Sequence, residues 1–275
     1  MCQYFKVWCE TSCETLDKIN KYTVRQFFRK GKDKMDKNEF VNKLKIFARD
    51  INIDLSTNEL DELFLYKNLI VDWNKKVNLT AITDDYDFII KHLIDSLTIN
   101  KYIEKNKKII DIGTGAGFPG IPIKIINKES KITLFDSLNK RIKVLEDIIN
   151  KIGLNNVELM HGRAEEVFRN NSYREKYDIA TSRAVANLSV LSELMLPSVK
   201  MGGICICMKG NNAVEEVEEA QYAIKTLGGI IEKIDTITLP GLNLERNIII
   251  IRKVKSTPKI YPRKAGTPQK KPLKK

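Results

Sequence analysis

The chain has 275 residues, enough for one medium-sized domain with a smaller appendage. Hydrophobic residues make up 43% of it, which provides a packed core and excludes an intrinsically disordered protein. No apolar run approaches the roughly 20 residues that span a bilayer, and no signal-peptide pattern opens the chain, so we expect a cytoplasmic protein without a membrane partner. The five cysteines have neither zinc nor iron–sulfur spacing, and we therefore predict no metal site.

The net charge of +12 comes from the two ends of the chain. Residues 1–34 hold eight basic and four acidic residues, residues 255–275 hold eight basic and none acidic, and residues 35–254 hold the remaining 31 of each. Cationic ends on a neutral body are typical of a protein that contacts a polyanion, although solubility alone explains the charge equally well. Residues 255–275 also contain four prolines without a hydrophobic period, which predicts an extended basic arm.

The N-terminal part divides at Met35. Residues 1–34 have few periodic apolar positions, whereas a helical pattern follows Met35 at once. We therefore interpret 1–34 as a poorly patterned extension and Met35 as an alternative start. Residues 35–104 are predicted to form a helical region, with helices at 38–49, from the Ser56–Glu59 capping box through Trp73, and at about 85–102.

Two polar segments of this helical region stand out, WNKKVNLTAIT at 73–83 and KHLIDSL at 91–97. Trp73 and Asn78 cluster at a helix end, and His92 lies one turn before Asp95. These positions are equally compatible with contact to a substrate or cofactor and with ordinary helix termination and surface hydrogen bonding.

Residues 105–254 alternate between strands and helices. The sequence predicts helices at about 119–127, 139–152, 188–200 and 213–227, and strands at 108–113, 131–136, 157–161, 177–182, 203–208, 230–239 and 247–253. This alternation predicts a parallel α/β sheet covered on both faces. The last two strands follow one another without a helix, so the final strand is expected to pair antiparallel. A Rossmann-like sheet of seven strands that ends this way is the class I methyltransferase fold.

A glycine-rich loop, GTGAGF, follows the first predicted strand. Gly113, Gly115 and Gly117 alternate between a strand and a helix, an arrangement that lets backbone N–H groups approach a nucleotide-like ligand. A dinucleotide fingerprint needs its third glycine at position 118, which is Phe118. The loop therefore favours S-adenosylmethionine over nicotinamide cofactors, and a ligand-free connection is the less favoured alternative.

The ends of the next three strands carry further polar residues. Asp136 lies 23 positions after Gly113, where an acid faces a cofactor ribose, or else caps a helix. Ala164 and Glu165 are predicted to place backbone groups against an adenine, or else to begin a helix. Arg183 is predicted to hold the methionine carboxylate or a substrate phosphate, with an ordinary surface arginine as the alternative.

Missing motifs narrow the methyl acceptor. No [DNS]-P-P-[YFW] motif follows the fourth strand and no Pro-Cys nucleophile is present, which disfavours amino methylation and C5 methylation of bases. No general base is evident at the predicted strand ends, so no catalytic residue is assigned. A ring nitrogen such as guanine N7 needs no deprotonation, and positioning and desolvation then account for catalysis.

These motifs resemble those of the RsmG (GidB) family of bacterial 16S rRNA guanine-N7 methyltransferases. The resemblance covers residues of about 38–270 and rests on WNKKVNLTAIT, HLIDSL, DIGTGAGFPGIPIKI, LFDSLNKR, HGRAEE, ATSRAVANLSVLSELMLP and RNIIIIRK…TPKIYPRKAGTP. It implies methyl transfer from S-adenosylmethionine to a guanine N7 of the small ribosomal subunit, without an established general base. The cofactor contacts that it implies are Gly113, Phe118, Ala164, Glu165 and Arg183, with Asp136 at the ribose.

Arg263 and Lys264 of the basic ending are the further residues that we expect to contact 16S rRNA, and we expect the enzyme to be a monomer. Two alternatives remain open at this point. A small-molecule or protein methyltransferase with the same cofactor site would not need the basic tail. A non-catalytic RNA- or ribosome-binding module would not bind S-adenosylmethionine.

Overall fold

The computed structural model describes residues 34–275 apart from Ala184, Asn211 and Asn243. Except for Lys34, the predicted N-terminal extension therefore lies outside the described residues, and the start at Met35 stays a prediction. The core is a seven-stranded sheet in the order β3-β2-β1-β4-β5-β7-β6. Its strands are β1 (Lys108–Ile112), β2 (Lys131–Asp136), β3 (Val157–His161), β4 (Tyr177–Arg183), β5 (Val199–Lys209), β6 (Gly229–Leu239) and β7 (Leu244–Lys253).

The direction of the strands confirms the class I methyltransferase fold. β1 to β5 pair in parallel, and β7 pairs antiparallel with both β5 and β6. β7 is antiparallel because it follows β6 after only four residues, too few for a crossover. The glycine loop and the ends of β2, β3 and β4 consequently meet at one edge of the sheet, which we call the carboxyl edge.

Helices cover both faces of the sheet. α5 (Gly120–Ile126) and α6 (Asn139–Ile152) pack on one face, and α7 (Ala164–Val167), α8 (Leu188–Met195) and α9 (Ala213–Thr226) on the other. Alternate residues of each strand point to opposite faces, so Ile109 and Ile110 belong to two different core clusters. Among the described residues, none of the helices has the length and apolar character needed to cross a membrane.

The helix after β4 is shorter than predicted. α8 ends at Met195, a 3-10 turn follows at Leu196–Ser198, and β5 begins at Val199 rather than at 203. Pro197 explains the difference, since it has no N–H to continue an α-helix.

The helical region packs on the same face as α5 and α6. It begins with α1 (Lys37–Asp50) and α2 (Thr57–Asn74), and the predicted capping box is present, with both Ser56–Glu59 hydrogen bonds at the start of α2. Lys67 on α2 forms a fully buried ion pair with Asp85. The α2 helix is thereby joined to the segment that leads into β1.

That segment, predicted as one helix over 85–102, is helical but not uniformly α. A short α3 (Asp85–Phe88) passes into a π-helix (Ile89–Ile94), then α4 (Asp95–Leu97) and a 3-10 turn (Asn100–Tyr102). In the π-helical part the amide of Asp95 donates to the carbonyl of Ile90, five residues back. π-helical turns widen a helix locally and occur frequently at functional sites.

The basic ending is folded onto the body, so the prediction of an extended arm is wrong. Residues 267–270 form a last helix, α10 (Thr267–Lys270). Thr257, Pro262 and Pro268 are buried, and Leu273 packs against the core cluster beneath α8. Prolines and isolated apolar residues fill gaps in this surface without any period that a sequence pattern would reveal.

Candidate functional site

The glycine loop connects β1 to α5 in a conformation that requires glycine. Gly113, Gly115 and Gly117 have φ of +72°, +61° and +105°. A Cβ on Gly117 would lie 2.6 Å from Ile121 Cδ1 and 2.9 Å from the Tyr66 hydroxyl. The alternating glycines therefore follow from the left-handed backbone and from close packing as well as from any ligand.

Asp111 supports this loop from below. Its Oδ2 accepts hydrogen bonds from Thr114 Oγ1 at 2.7 Å and from the amide of Gly120 at 2.9 Å. Burial raises the pKa of the Asp111 carboxyl to about 6. Its Oδ1 and the hydroxyl of Thr181, its register partner on β4, are buried without a hydrogen-bond partner among the described residues.

These orphaned atoms bear on whether S-adenosylmethionine fits the site. The cofactor carries an ammonium, a sulfonium and two ribose hydroxyls, which need anionic acceptors and a close approach to backbone. The donor and acceptor set at the loop, two buried carboxylates and a glycine backbone, has this chemistry. The residues present therefore fit the methyl donor that the glycine spacing favours.

Asp136, the second carboxylate, already accepts three hydrogen bonds from the chain. Oδ2 accepts from the amide of Gly115 at 2.9 Å and from Arg141 at 3.2 Å, and Oδ1 accepts from the amide of Leu138 at 2.9 Å. A carboxylate has about four lone-pair positions. The Asp136 carboxylate thus has one lone-pair position left to accept a hydrogen bond from a ribose hydroxyl. It could accept from a second hydroxyl only if Arg141 moved away.

Arg183 is the centre of a buried network at the end of β4. Its Nη1 donates to Asp95 Oδ2 at 3.0 Å and to the carbonyl of Lys91 at 3.1 Å. Its guanidinium also lies 4.8 Å from the centre of the Phe118 ring, within the range of a cation–π contact. The alternative of an ordinary surface arginine is wrong, because the side chain is only 15% exposed.

The π-helix explains why the Lys91 carbonyl and the Asp95 carboxylate are both available to Arg183. Since the amide of Asp95 donates to Ile90, it does not take its α-helical acceptor, the carbonyl of Lys91. That carbonyl accepts from Arg183 instead. The widened turn thus places a carbonyl and a carboxylate side by side as acceptors for one guanidinium.

His92 joins the same network, and its neighbours fix its tautomer. Arg183 Nη2 lies 3.2 Å from Nδ1, and because a guanidinium can only donate, Nδ1 must be the acceptor. Nε2 is then the N–H and donates to Thr80 Oγ1 at 2.7 Å. Burial, together with Arg183, lowers the pKa of His92 to about 3, and the ring stacks on Phe118 at 4.4 Å.

Asp95 is shared by two arginines. Besides Arg183 it accepts from Arg246 Nε, at 3.2 Å from Oδ1. Burial raises the pKa of the Asp95 carboxyl, and the two guanidinium groups oppose that rise. One carboxylate thus holds two guanidinium groups, one from β4 and one from β7, at the carboxyl edge.

Glu165 is oriented toward the folded ending. Ala164 is buried and begins α7 after β3, as the helix-start alternative required. The Glu165 carboxylate accepts from the amide of Gly266 at 3.0 Å. An adenine contact at this position would therefore come from backbone, since the side chain is engaged elsewhere.

The remaining predicted residues have other partners or are exposed. Trp73 donates its indole N–H to Asp147 on α6 at 2.7 Å, and Asn78 is exposed on the loop after α2. Arg263 is held by Glu193, with Nη2 2.6 Å from Oε2, while Lys264 is exposed. The structure brings Phe118, His92 and Arg183 into direct contact, whereas other carboxylates engage Trp73 and Arg263.

Sequence reasoning missed four contributors to the site. They are Tyr66, which donates to the carbonyl of Ala116 in the loop at 2.8 Å, and Thr80, Asp95 and Arg246. Asp95 was noticed only as a possible surface partner of His92. The HLID spacing placed both on one helix, but it gave no signal for partners 88 and 151 residues away.

Comparison with known proteins shows the family to which the chain belongs. A family model described as GidB, rRNA small subunit methyltransferase G, matches residues 59–249. The relatives that carry the name Ribosomal RNA small subunit methyltransferase G include one from Clostridium novyi (strain NT), which is 52% identical over 85% of this chain and 97% of the relative. The relative from Clostridium botulinum (strain ATCC 19397 / Type A) is 50% identical over 86% of this chain and 100% of the relative. The relative from Alkaliphilus oremlandii (strain OhILAs) is 47% identical over 84% of this chain and 98% of the relative. The chain therefore belongs to the rRNA small subunit methyltransferase G family, as its motifs predicted.

Proposed function

We propose that this protein transfers a methyl group from S-adenosylmethionine to N7 of a guanine in the 16S rRNA of the small ribosomal subunit. It is an S-adenosylmethionine-dependent methyltransferase by its family and by the fit of its glycine loop. The names of the relatives support small-subunit rRNA as the substrate class. Such a substrate places the enzyme in the cytoplasm.

The observation that carries the choice of a ring nitrogen is the state of the groups around Arg183. His92 uses its only lone pair to accept from Arg183, and Asp95 is paired with two guanidiniums. Neither group is free to take a proton from an acceptor. Guanine N7 offers an in-line lone pair and loses no proton, so it suits a site of this kind.

On the donor side, S-adenosylmethionine supplies an electrophilic methyl group when it is bound. The glycine backbone would let it approach the loop closely, and Asp136 would accept a hydrogen bond from it. Phe118 closes the loop beside Arg183, and Ala164 and Glu165 would offer backbone groups at the end of β3. Arg183 holds either the methionine carboxylate or an RNA phosphate with its fork. Exclusion of water by the buried Phe118–His92 stack strengthens these interactions.

On the RNA side, we assign phosphate contacts to exposed cations and polar groups at the carboxyl edge, with Asn78 and Lys264 as the first choices. His92 acts through Arg183 as a positioning residue. Trp73 and Arg263 act in the fold, since Asp147 and Glu193 engage their donors.

The test is to map N7-methylguanine in 16S rRNA with and without this gene, and to complement the deletion with Gly113→Asp. We expect one guanine to lose its methyl group in the deletion strain and the variant to fail to restore it. A Cβ on Gly113 would lie 2.6 Å from Val185 Cγ2 at a φ of +72°, so the loop cannot accept the new side chain without moving. An unchanged set of methylated guanines in the deletion strain would contradict the proposed function.

A further inference from the structure

The folded ending, residues 255–275, is bound along the outside of the molecule, and we call it the strap. It starts at the amino edge of the sheet, opposite the site. Thr257 donates its amide to Glu175 at 2.8 Å and its hydroxyl to the carbonyl of Leu227 at 2.7 Å. Glu175 and Leu227 lie just before β4 and β6, which fixes this end of the strap at the beginning of those strands.

Two arginines hold the middle of the strap through its backbone. Arg174 donates to the carbonyls of Tyr261 and Thr257, each at 2.7 Å. Arg169 Nε donates to the carbonyl of Pro262 at 2.8 Å. Because these bonds use carbonyls, they fix the path of the chain while its side chains remain available.

The strap passes the last turn of α8 at Arg263 and comes near the carboxyl edge at Gly266. Glu193, fully buried on α8, accepts from the amide, Nε and Nη2 of Arg263 at 2.6 to 3.1 Å. The amide of Gly266 donates to Glu165, in the first turn of α7 after β3. These bonds fix the strap beside Ala164 and Glu165, the residues that are predicted to contact the adenine of the methyl donor.

The lysines of the strap are exposed, but they lie at different places along it. Lys264 lies in the turn that the Thr267 amide closes onto its carbonyl at 2.9 Å, and Gly266 of the same turn is bonded to Glu165 near the carboxyl edge. Lys255 donates its amide to the carbonyl of Gly228, just before β6, at the amino edge. The seven residues of β4 separate the two edges by about 20 Å at roughly 3.3 Å per residue. That distance exceeds the Debye length of about 8 Å at physiological ionic strength.

We infer that the strap is a fixed phosphate-binding ridge, in which Lys264 contacts the RNA substrate beside the methyl-donor site and Lys255 does not. The inference rests on the proposed function and adds which part of the ending meets the RNA. A free arm with the same composition would give every lysine a similar share of the binding. In a fixed strap, the contribution of each lysine to RNA binding depends on its distance from the methyl-donor site.

The experiment compares Lys264→Gln with Lys255→Gln in the full chain, since each removes one exposed charge from the strap. Small ribosomal subunits and naked 16S rRNA from a strain that lacks the gene are methylated at several salt concentrations, and binding of S-adenosylmethionine is titrated by calorimetry. We expect Lys264→Gln to raise KM severalfold and to reduce the salt slope by about 1, as for one lost phosphate contact. Lys255→Gln is expected to match the wild type, and both variants to bind the cofactor normally.

Equal effects of the two variants would overturn the inference in favour of a free arm, and so would an unchanged KM and salt slope for Lys264→Gln. Failure of the wild type to methylate either RNA would instead overturn the proposed function, and this inference with it. Glu193→Gln provides a further check, because it weakens the attachment of Arg263 to the body while every lysine of the strap is retained. Its KM is expected to rise toward that of Lys264→Gln; a wild-type KM with a demonstrably released strap would show that fixation is irrelevant.

Discussion

Two buried carboxylates, Asp95 and Glu193, each hold arginine on opposite faces of the sheet, and they hold it for different purposes. Glu193 pairs with Arg263 alone, and the two charges cancel. Asp95 pairs with both Arg183 and Arg246, and Arg183 also interacts with the Asp111 carboxyl beneath the glycine loop. The difference teaches that a motif alone does not tell what its arginine does: Glu193 fixes the strap to the body, whereas Asp95 joins arginines from β4 and β7.

The largest expected effect distinguishes the two carboxylates. Asp95→Asn leaves two largely buried guanidiniums without an anion, and we expect it to cost about 3–5 kcal/mol of unfolding free energy and to remove methylation. Glu193→Gln retains hydrogen bonding to one guanidinium and should cost about 1–3 kcal/mol. Urea unfolding of both variants measures the difference, with the exposed Glu104→Gln as a control that leaves stability unchanged. A larger loss for Glu193→Gln would reverse the comparison.

The second expected effect concerns the shape of the cation at the site. Arg183→Lys keeps the positive charge but loses the fork that reaches Asp95, Lys91 and His92 together. We expect kcat/KM for RNA methylation to fall about 100-fold, the scale of a misplacement near 1 Å. Arg252→Lys, at an exposed pair with Glu232, is the matched control and should retain full activity. Comparable activity of the two variants would mean that charge alone suffices at position 183.

A third prediction follows from the neutral imidazole of His92. Its pKa in the folded protein is about 3 against the ordinary 6.5, so the unfolded chain takes up a proton that the folded chain refuses. The stability that it contributes is complete above pH 6.5 and is lost as the pH falls toward 3. Asp111 acts in the opposite sense: its raised pKa, about 6, makes its contribution fall as the pH rises through 6.

The variant His92→Gln removes the first effect and leaves the second. Between pH 6.5 and 5, the wild type should lose about 2 kcal/mol more unfolding free energy than this variant, at 1.36 kcal/mol per pH unit. Urea midpoints of both proteins at the two pH values test this. Parallel pH profiles would show that His92 is protonated in the folded state, contrary to its contact with Arg183.

The smallest expected effect lies away from both carboxylates. Trp73→Phe removes the indole donor to Asp147 but retains an aromatic ring between α2 and α6. We expect a slight decrease in the urea midpoint and unchanged kcat and KM. A raised KM for RNA would return Trp73 to the substrate-binding residues that its motif suggested.

Much of the molecule could be predicted from local pattern. Periodicity of two and of 3.6 residues located all seven strands and four of the five helices described on the sheet faces, because burial on one face or two dictates those periods. The exception is the one-turn helix α7, which is too short to show a period. The Ser56–Glu59 capping box marked a helix start correctly, since both of its hydrogen bonds are local. Glycine spacing identified the loop because positive φ excludes most other residues.

Long-range pairing could not be predicted. Arg246 reaches Asp95 across 151 positions, and Gly266 reaches Glu165 across 101. Nothing in a local window distinguishes Arg183, which shares its carboxylate with a second arginine, from Arg263, which pairs with Glu193 alone. The π-helical turn at 89–94 was not predicted either, since the donor to its Lys91 carbonyl is Arg183, 92 positions away.

The sequence by itself determined the sheet, the donor loop and the family, because these depend on backbone conformation and on residues close together in the chain. Only the tertiary structure decided what the charges do. The contacts of Arg183 with Asp95 and His92 make these residues parts of one site. The contact of Arg263 with the buried Glu193 fixes the strap, which the sequence predicted to be a free arm. The physical reason is that a charge acts through its distance to other charges and through the water it has lost, and the fold sets both.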